Sequence, residues 1–309
     1  MTMDGARMVR PPAHAGTFYP ASPEALRRLV DGQLAAAASA RPAPPGPRVG
    51  DHGAAVTPPG PPVGLVVPHA GLHYSGRVAA AAWSLLSAAP PAVVVLAGTN
   101  HYVPGLRGVA VWPAGAWRIP VDDVRVDQDL AGRILALGEP FAADPDAHRR
   151  EHSLEVQVPF VARACPGTPI VPLLVSFEST RSCLDAGTRL GRLLSAVRAE
   201  GKDAVLVASS DFAHYPPAPV AEAVTRALLP ALLDLDGEEL ARREAGTRMG
   251  DLPGVACGMC GIEPVLFAIG AFRAMGLRRG RLLASATSAD VPGGDPDRTV
   301  GYAAVAFEA

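Results

Sequence analysis

Three short apolar runs, at residues 63–67, 93–97 and 204–208, most constrain how this chain of 309 residues can fold. Each run is near-continuously apolar, which is typical of strands that are buried on both faces in a parallel sheet. Each run is also followed by a polar cluster that contains a histidine. In open α/β sheets, ligands bind in the crevice beyond the carboxyl ends of the strands. We therefore expect the three clusters to form one shared site.

Strand-like and helical segments alternate along the chain from residue 63. This alternation predicts a single α/β domain over residues 1–309, with a mostly parallel or mixed central sheet and helices on both faces. The predicted strands cover residues 63–68, 92–98, 108–113, 169–176, 203–209, 281–289 and 300–307. The predicted helices cover residues 23–40, 75–88, 127–138, 153–164, 183–199, 219–234 and 262–276. Residues 41–62 are rich in proline and glycine, which indicates an extended surface loop.

Composition narrows the function classes. The formal net charge is -2, so there is no basic excess of the kind that binds nucleic acid. No apolar stretch reaches the roughly 18–20 residues of a membrane span, and the first residues do not show the pattern of a signal peptide. Four cysteines are too few for a disulfide scaffold in a chain of this length. We expect a cytoplasmic protein that does not bind membranes or nucleic acid.

The polar clusters contain side chains that bind first-row metals. His69 and His101 each come shortly after a predicted strand. Neutral imidazoles combined with a thiolate or a carboxylate bind divalent metal ions. Taken singly, His69 is equally well explained as a loop residue that is hydrogen-bonded to the backbone, and His101 is slightly better explained as a structural residue. The repetition of the arrangement favours a metal site.

Two further pairs of residues suggest acid–base chemistry. Asp211 and His214 follow the third strand, and we expect a carboxylate–imidazole pair that fixes the histidine tautomer for a general base. His152 and Glu155 lie on one face of a helix start. The functional interpretation makes His152 a hydrogen-bond donor to substrate and Glu155 its orienting partner. The alternative is a capped helix start whose acidic residues are favoured by the helix dipole.

A single CxxC motif, formed by Cys257 and Cys260, precedes the predicted helix 262–276. A structural zinc site normally needs two such pairs, and the sequence has only one. The positive end of the helix dipole favours a thiolate, and Cys260 lies closer to it. We therefore expect Cys260 to bind the metal, although either sulfur fits the pattern and the two thiols can also oxidise to a disulfide. A buried structural cysteine in a turn is the other interpretation.

Several of these segments, in their order along the chain, resemble the Memo family, which shares a superfamily with the class III (LigB-type) extradiol dioxygenases. The matching segments are residues 13–19, 68–71, 98–101, 151–155, 209–214 and 260–264. The resemblance implies a class III extradiol dioxygenase-like fold. It also implies that His69, His101 and Cys260 hold a metal, and that His214 is the acid–base group with Asp211 beside it. The substrate pocket is then expected to include His152, Glu155, His14, Asn100 and Ser210.

The same resemblance suggests a function. The related dioxygenases bind a catechol and O2 at non-haem iron, so we expect Fe2+ here, with Cu or Zn as alternatives because a thiolate is a soft ligand. The expected function is a metal-dependent oxidoreductase that acts on an unidentified small molecule or peptide. The alternatives are a metal- or redox-handling protein without turnover and a peptide- or protein-interaction module that reuses the pocket. The resemblance also implies a functional link to a radical SAM protein and an AMMECR-type protein.

Overall fold

The computed structural model describes residues 8–40, 62–250, 252 and 254–308. Its strands are β1 (Val9–Arg10), β2 (Pro62–Val67), β3 (Val93–Thr99), β4 (Gly108–Val111), β5 (Ala116–Ile119), β6 (Asp122–Arg125), β7 (Phe141–Ala143), β8 (Ile170–Ser176), β9 (Ala204–Ser209), β10 (Gly280–Thr287) and β11 (Gly301–Glu308). Its α-helices are α1 (Pro23–Ser39), α2 (Leu72–Ser87), α3 (Gln128–Leu135), α4 (His152–Glu155), α5 (Val158–Ala164), α6 (Thr180–Ala199), α7 (Ala218–Leu233), α8 (Gly237–Met249) and α9 (Ile262–Ala274). Of the loop predicted over residues 41–62, all but Pro62, the first residue of β2, lies outside the described residues.

Eight strands form a mixed sheet in the order β10-β11-β2-β9-β3-β8-β4-β7. Strands β2, β9, β3 and β8 are parallel neighbours, whereas β4, β10 and β11 introduce antiparallel pairs. Every residue of β2, β3 and β9 is buried, as their continuous apolar sequences predict. The predicted α/β fold with a mixed central sheet is confirmed. Because β2, β9 and β3 are adjacent and parallel, the segments that follow them meet at one edge of the sheet.

Helices cover both faces of this sheet and form two hydrophobic clusters with it. One cluster joins the sheet to α6, α7 and α9, and the other joins it to α1, α2 and α5. Helices α6 and α9 approach each other closely because glycines lie at the contact. A Cβ atom added at Gly187 would lie 1.9 Å from the carbonyl oxygen of Phe267. This packing fixes the position of α9 and of the cysteine that precedes it.

Some elements differ from the prediction. Strands β1, β5 and β6 form a separate three-stranded sheet, and they are too short to show a hydrophobic period. Helix α8 was not predicted either, because its sequence is strongly polar and supplies few apolar positions. The helix predicted over 153–164 is two helices, α4 and α5. Pro159 lacks an N–H, so the hydrogen bond to the carbonyl of Glu155 that one continuous helix would need cannot form.

Among the described residues, we find no helix that combines the length and hydropathy needed to cross a membrane.

Candidate metal site

His69, His101 and Cys260 converge at the carboxyl edge of the sheet. His69 follows β2, His101 follows β3, and Cys260 comes just before α9. One donor atom from each side chain lies within 4.8 Å of the other two. The Cys260 Sγ is 3.2 Å from the His69 Nε2, and the two imidazole centroids are 5.4 Å apart. Metal–donor bonds of about 2.0–2.3 Å require donor atoms at roughly this spacing, so the three residues fit a first-row metal.

Hydrogen bonds fix the tautomer of His69. Its Nδ1 lies 3.2 Å from the Ser209 hydroxyl, which donates its own hydrogen to the Ser153 carbonyl at 2.7 Å. Ser209 also accepts a hydrogen bond from the Gln157 amide, 2.9 Å away. Because the hydroxyl has no second hydrogen, the His69 Nδ1 must be the donor, and its Nε2 lone pair faces Cys260. Burial lowers the pKa of His69 to about 3, so the ring is neutral near neutral pH.

A buried carboxylate fixes the tautomer of His101. The His101 Nδ1 donates to Glu151 at 2.8 Å, and its backbone N–H donates to the second carboxylate oxygen at 2.9 Å. Glu151 also accepts the backbone N–H of Ser153, where α4 begins. Burial alone would raise the pKa of Glu151, but the hydrogen bonds from His101 outweigh it and hold the pKa at about 2. A carboxylate only accepts, so the Nε2 of His101 keeps its lone pair for a metal.

The two cysteines of the CxxC motif have different surroundings. Cys260 donates its backbone N–H to the Asp211 carbonyl, and its sulfur belongs to the metal-binding cluster. Cys257 belongs to no such cluster among the described residues; its carbonyl accepts the backbone N–H of His214. Burial raises the pKa of the Cys260 thiol, which is opposite to the effect expected from the helix dipole. Metal binding at Cys260 must therefore release a proton.

The predicted carboxylate–imidazole pair of Asp211 and His214 is not formed. The His214 Nδ1 donates instead to the Phe212 carbonyl at 2.8 Å, which lies within its own segment. The Asp211 carboxylate accepts the backbone N–H groups of His69, at 2.7 Å, and Ala70, at 3.2 Å. The backbone carbonyl thus fixes the His214 tautomer, and its Nε2 keeps a lone pair. Donor atoms of the two side chains still lie within 4.8 Å of each other.

His152 lies beside the metal ligands, but Glu155 does not orient it. The His152 ring stacks on His101 with centroids 4.3 Å apart, and its Nδ1 is 3.1 Å from the Tyr102 hydroxyl. Burial lowers the pKa of His152 to about 3. The Glu155 carboxylate points away from the site and accepts a 2.6 Å hydrogen bond from the buried Arg10 guanidinium. The predicted orienting role of Glu155 is therefore wrong, because a stronger charged partner binds it on the other side.

The remaining predicted pocket residues divide into two groups. His14 lies next to His152, with ring centroids 5.6 Å apart, and lines the site. The Asn100 side-chain amide donates a hydrogen bond to the backbone carbonyl of the residue three positions later and accepts one from the backbone N–H of that residue, so it shapes the loop after β3. Ser210 is fully buried and accepts the backbone N–H of the residue after Cys260. Asn100 and Ser210 thus hold the loops of the site, and their place in the substrate pocket stays a prediction.

Sequence reasoning did not identify four residues that hold the site histidines. Glu151 binds His101, Tyr102 bonds His152, and Ser209 and Gln157 form the chain of hydrogen bonds behind His69. The sequence carried a signal for Glu151, which directly precedes a helix where an acidic side chain can accept a backbone N–H. The others are common polar residues at a strand end or in a helix, and their roles depend on contacts between distant segments.

Comparison with known proteins places the chain in a family. The family described as Memo-like protein matches residues 10–306. A MEMO1 family protein of Methanothermobacter thermautotrophicus is 35% identical over 306 residues, which cover 96% of this chain and 99% of that protein. A MEMO1 family protein of Methanopyrus kandleri is 33% identical over 97% of this chain and 99% of its own length.

One solved structure also aligns with the chain. It is described as an uncharacterized protein from Escherichia coli K12, and the alignment covers 77% of this chain and 98% of that one, with a TM-score of 0.46 and 19% identity. That likeness is too low to support a conclusion. The family match and the two full-length relatives are sufficient by themselves: the chain belongs to the Memo-like family.

Proposed function

We propose that this protein is a metal-dependent oxidoreductase, related to the ring-cleaving dioxygenases, that binds Fe2+ through His69, His101 and Cys260. One observation carries the proposal. Each imidazole donates its Nδ1 hydrogen to a fixed acceptor and directs its Nε2 lone pair to the space shared with the thiol. Three protein ligands leave coordination positions open, which is typical of catalytic metal sites and not of structural ones.

The bound metal would orient a substrate oxygen and stabilise negative charge on it. The residues around the metal supply the other parts of the chemistry. His214 accepts a proton from the substrate at Nε2, because its Nδ1 hydrogen is held by the Phe212 carbonyl. His152 and Tyr102 form one wall of the site through their hydrogen bond. The His101 side chain is 28% exposed, which gives a small molecule access to the metal.

A second candidate is a protein that stores or transfers metal without turnover. The Cys260 thiol favours it, because a thiolate is a soft ligand that also suits Cu(I) and Zn. The two candidates share the same three ligands and differ in whether His214 moves a proton. Turnover therefore discriminates between them, whereas metal content does not.

The test combines metal content with oxygen uptake. Protein purified without chelator is analysed for metal, loaded anaerobically with Fe2+, and exposed to O2 with a panel of catechols. We expect one metal per chain and O2 uptake with at least one diol. His214→Gln should keep the metal and lose about 10²–10⁴-fold in turnover, as expected for an acid–base group.

Two variants serve as controls for that test. His69→Ala should lose the metal and the activity together, and Cys257→Ser should keep both. A wild-type protein that binds metal but consumes no O2 with any diol would support the second candidate. A wild-type protein that binds none of the metals would contradict both.

A further inference from the structure

We infer that Glu151 is a positioning residue that sets both the affinity of the site for divalent metal and its preference for divalent over monovalent ions. The inference rests on the proposed metal site at His69, His101 and Cys260. It concerns a residue that is not itself a ligand. Its side chain acts on the metal through His101.

A carboxylate oxygen of Glu151 lies within 4.8 Å of ligand atoms of His101 and His152, but the hydrogen bonds of Glu151 already engage both of its oxygens. Its side chain is fully buried, and both carboxylate oxygens accept hydrogen bonds. One oxygen binds the His101 Nδ1 at 2.8 Å and the Ser153 N–H at 2.8 Å, and the other binds the His101 N–H at 2.9 Å. Two of the three bonds go to one residue, so Glu151 fixes the backbone and the ring of His101 together.

The contrast with His69 shows what the carboxylate adds. The His69 Nδ1 donates to the neutral Ser209 hydroxyl, whereas the His101 Nδ1 donates to a buried carboxylate. Both partners fix the same tautomer, but only Glu151 places a negative charge next to the imidazole that it binds. Partners of this kind raise the basicity of a ligating imidazole, and their loss typically costs 10–100-fold in metal affinity.

The negative charge of Glu151 also predicts that the site selects divalent over monovalent ions. The Coulomb attraction between Glu151 and a bound ion is proportional to the charge of the ion, so a divalent ion gains twice as much as a monovalent one. Removal of the charge should therefore weaken divalent binding by about the square of the factor for monovalent binding. For the 10–100-fold range above, the expected loss for a monovalent ion is about 3–10-fold. A purely structural role for Glu151 would weaken both ions equally.

The test uses Zn2+ as the divalent probe and Cu+ as the monovalent probe, both titrated by competition with a chelator. Glu151→Gln keeps the length of the side chain and an acceptor oxygen but removes the charge. We expect its Zn2+ affinity to fall about 10–100-fold and its Cu+ affinity to fall less. Glu178→Gln removes the same charge from a side chain that is 73% exposed, and it should leave both affinities unchanged.

Two further measurements test whether the effect passes through His101. In the His101→Ala background, Glu151→Gln should change Zn2+ affinity less than in the wild type, because the contribution that passes through the imidazole is lost and only the direct Coulomb attraction remains. The ¹⁵N chemical shifts of the His101 ring should show a hydrogen on Nδ1 in the wild type and a mixture of tautomers in Glu151→Gln. The His69 signals should not change.

The outcomes separate this inference from the proposed function. Wild-type protein that binds neither ion contradicts the proposed metal site. Wild-type binding combined with equal Zn2+ affinity in Glu151→Gln overturns the positioning role, and equal losses for Zn2+ and Cu+ overturn the selectivity. Glu151→Asp, which keeps the charge, remains informative if Glu151→Gln does not fold. It should bind Zn2+ more weakly but keep the preference, and loss of the preference would overturn the inference.

Discussion

Glu151 and Glu155 are both fully buried at the two ends of the one-turn helix α4, yet they stabilise different parts of the molecule. Glu151 faces the metal side and accepts two hydrogen bonds from His101. Glu155 faces the N-terminal side, where it accepts hydrogen bonds from the Arg10 guanidinium and the Tyr19 hydroxyl, each at 2.6 Å. The comparison shows that burial of a carboxylate does not determine its role. Its role depends on the partner that the fold brings to it.

Glu155 influences the site through the N-terminal segment. Its two oxygens also accept the backbone N–H groups of Ala13, at 3.1 Å, and His14, at 2.8 Å. These bonds hold the segment that brings the His14 ring beside His152. We therefore expect changes at Glu155 to affect stability first, whereas changes at Glu151 affect metal binding first.

The largest expected effect is a loss of stability in Glu155→Gln. Removal of one partner of a buried ion pair leaves the Arg10 charge uncompensated, which typically costs about 3–5 kcal/mol in the free energy of unfolding. Urea unfolding measures the effect, and the Zn2+ affinity of the folded variant should stay close to that of the wild type. The exposed Glu178→Gln is the matched control and should change stability by less than about 0.5 kcal/mol. Equal stabilities of the two variants would refute the assigned role of Glu155.

The second prediction concerns stability at acid pH. One buried neutral histidine, His69, lies on the metal side of α4, and another, His148, lies beside Arg10. Burial lowers the pKa of His69 and of His148 to about 3, against about 6.5 in an unfolded chain. Between these values the unfolded chain binds more protons, so the stability present above pH 6.5 is lost as the pH falls toward 3. At pH 5 the loss is on the order of 2 kcal/mol for each ring.

Unfolding of the metal-free protein as a function of pH tests this expectation. His69→Gln, on the metal side, and His148→Gln, next to Arg10, should each flatten the acid limb of the stability profile by a similar amount. An acid limb that keeps its full slope in both variants would show that these rings are not the source of the pH dependence.

A smaller effect is expected for Tyr19→Phe. The substitution removes only the hydroxyl that donates to Glu155, and a hydrogen bond to a charged group contributes about 1.5 kcal/mol at the lower end of its range. The free energy of unfolding should fall by about that amount, with no change in Zn2+ affinity. If Tyr19→Phe weakens metal binding as much as Glu151→Gln does, the two sides of α4 are not independent.

Much of the fold followed from the sequence because its central strands are continuously apolar. Strands β2, β3 and β9 were predicted close to their observed bounds, and their parallel order brings His69 and His101 to one edge. Cys260 comes from a segment near the end of the chain, and its assignment depended on the family resemblance together with its place beside the start of a helix. The short strands of the second sheet and the polar helix α8 gave no clear hydrophobic period, so they were missed.

The sequence could not decide which carboxylate belongs to the site. Glu151 and Glu155 both flank His152, and helical spacing favoured Glu155 as its partner. The structure assigns them otherwise because Arg10, more than 140 positions away in the chain, binds Glu155. The same limitation applies to Asp211, which accepts backbone N–H groups of the segment after β2 and not the neighbouring His214. Contacts between distant segments determine these roles, and local patterns do not contain them.

The central claim is that His69, His101 and Cys260 bind one metal, and a titration with Co2+ tests it most directly. A thiolate bound to Co2+ gives a sulfur-to-metal charge-transfer absorption. We predict this absorption in the wild type, where it saturates at one Co2+ per chain, and in Cys257→Ser. It should be absent in Cys260→Ser, and the Co2+ affinity of that variant should fall and lose much of its pH dependence, because no thiol proton is released. Absorption that persists in Cys260→Ser and disappears in Cys257→Ser would contradict the claim.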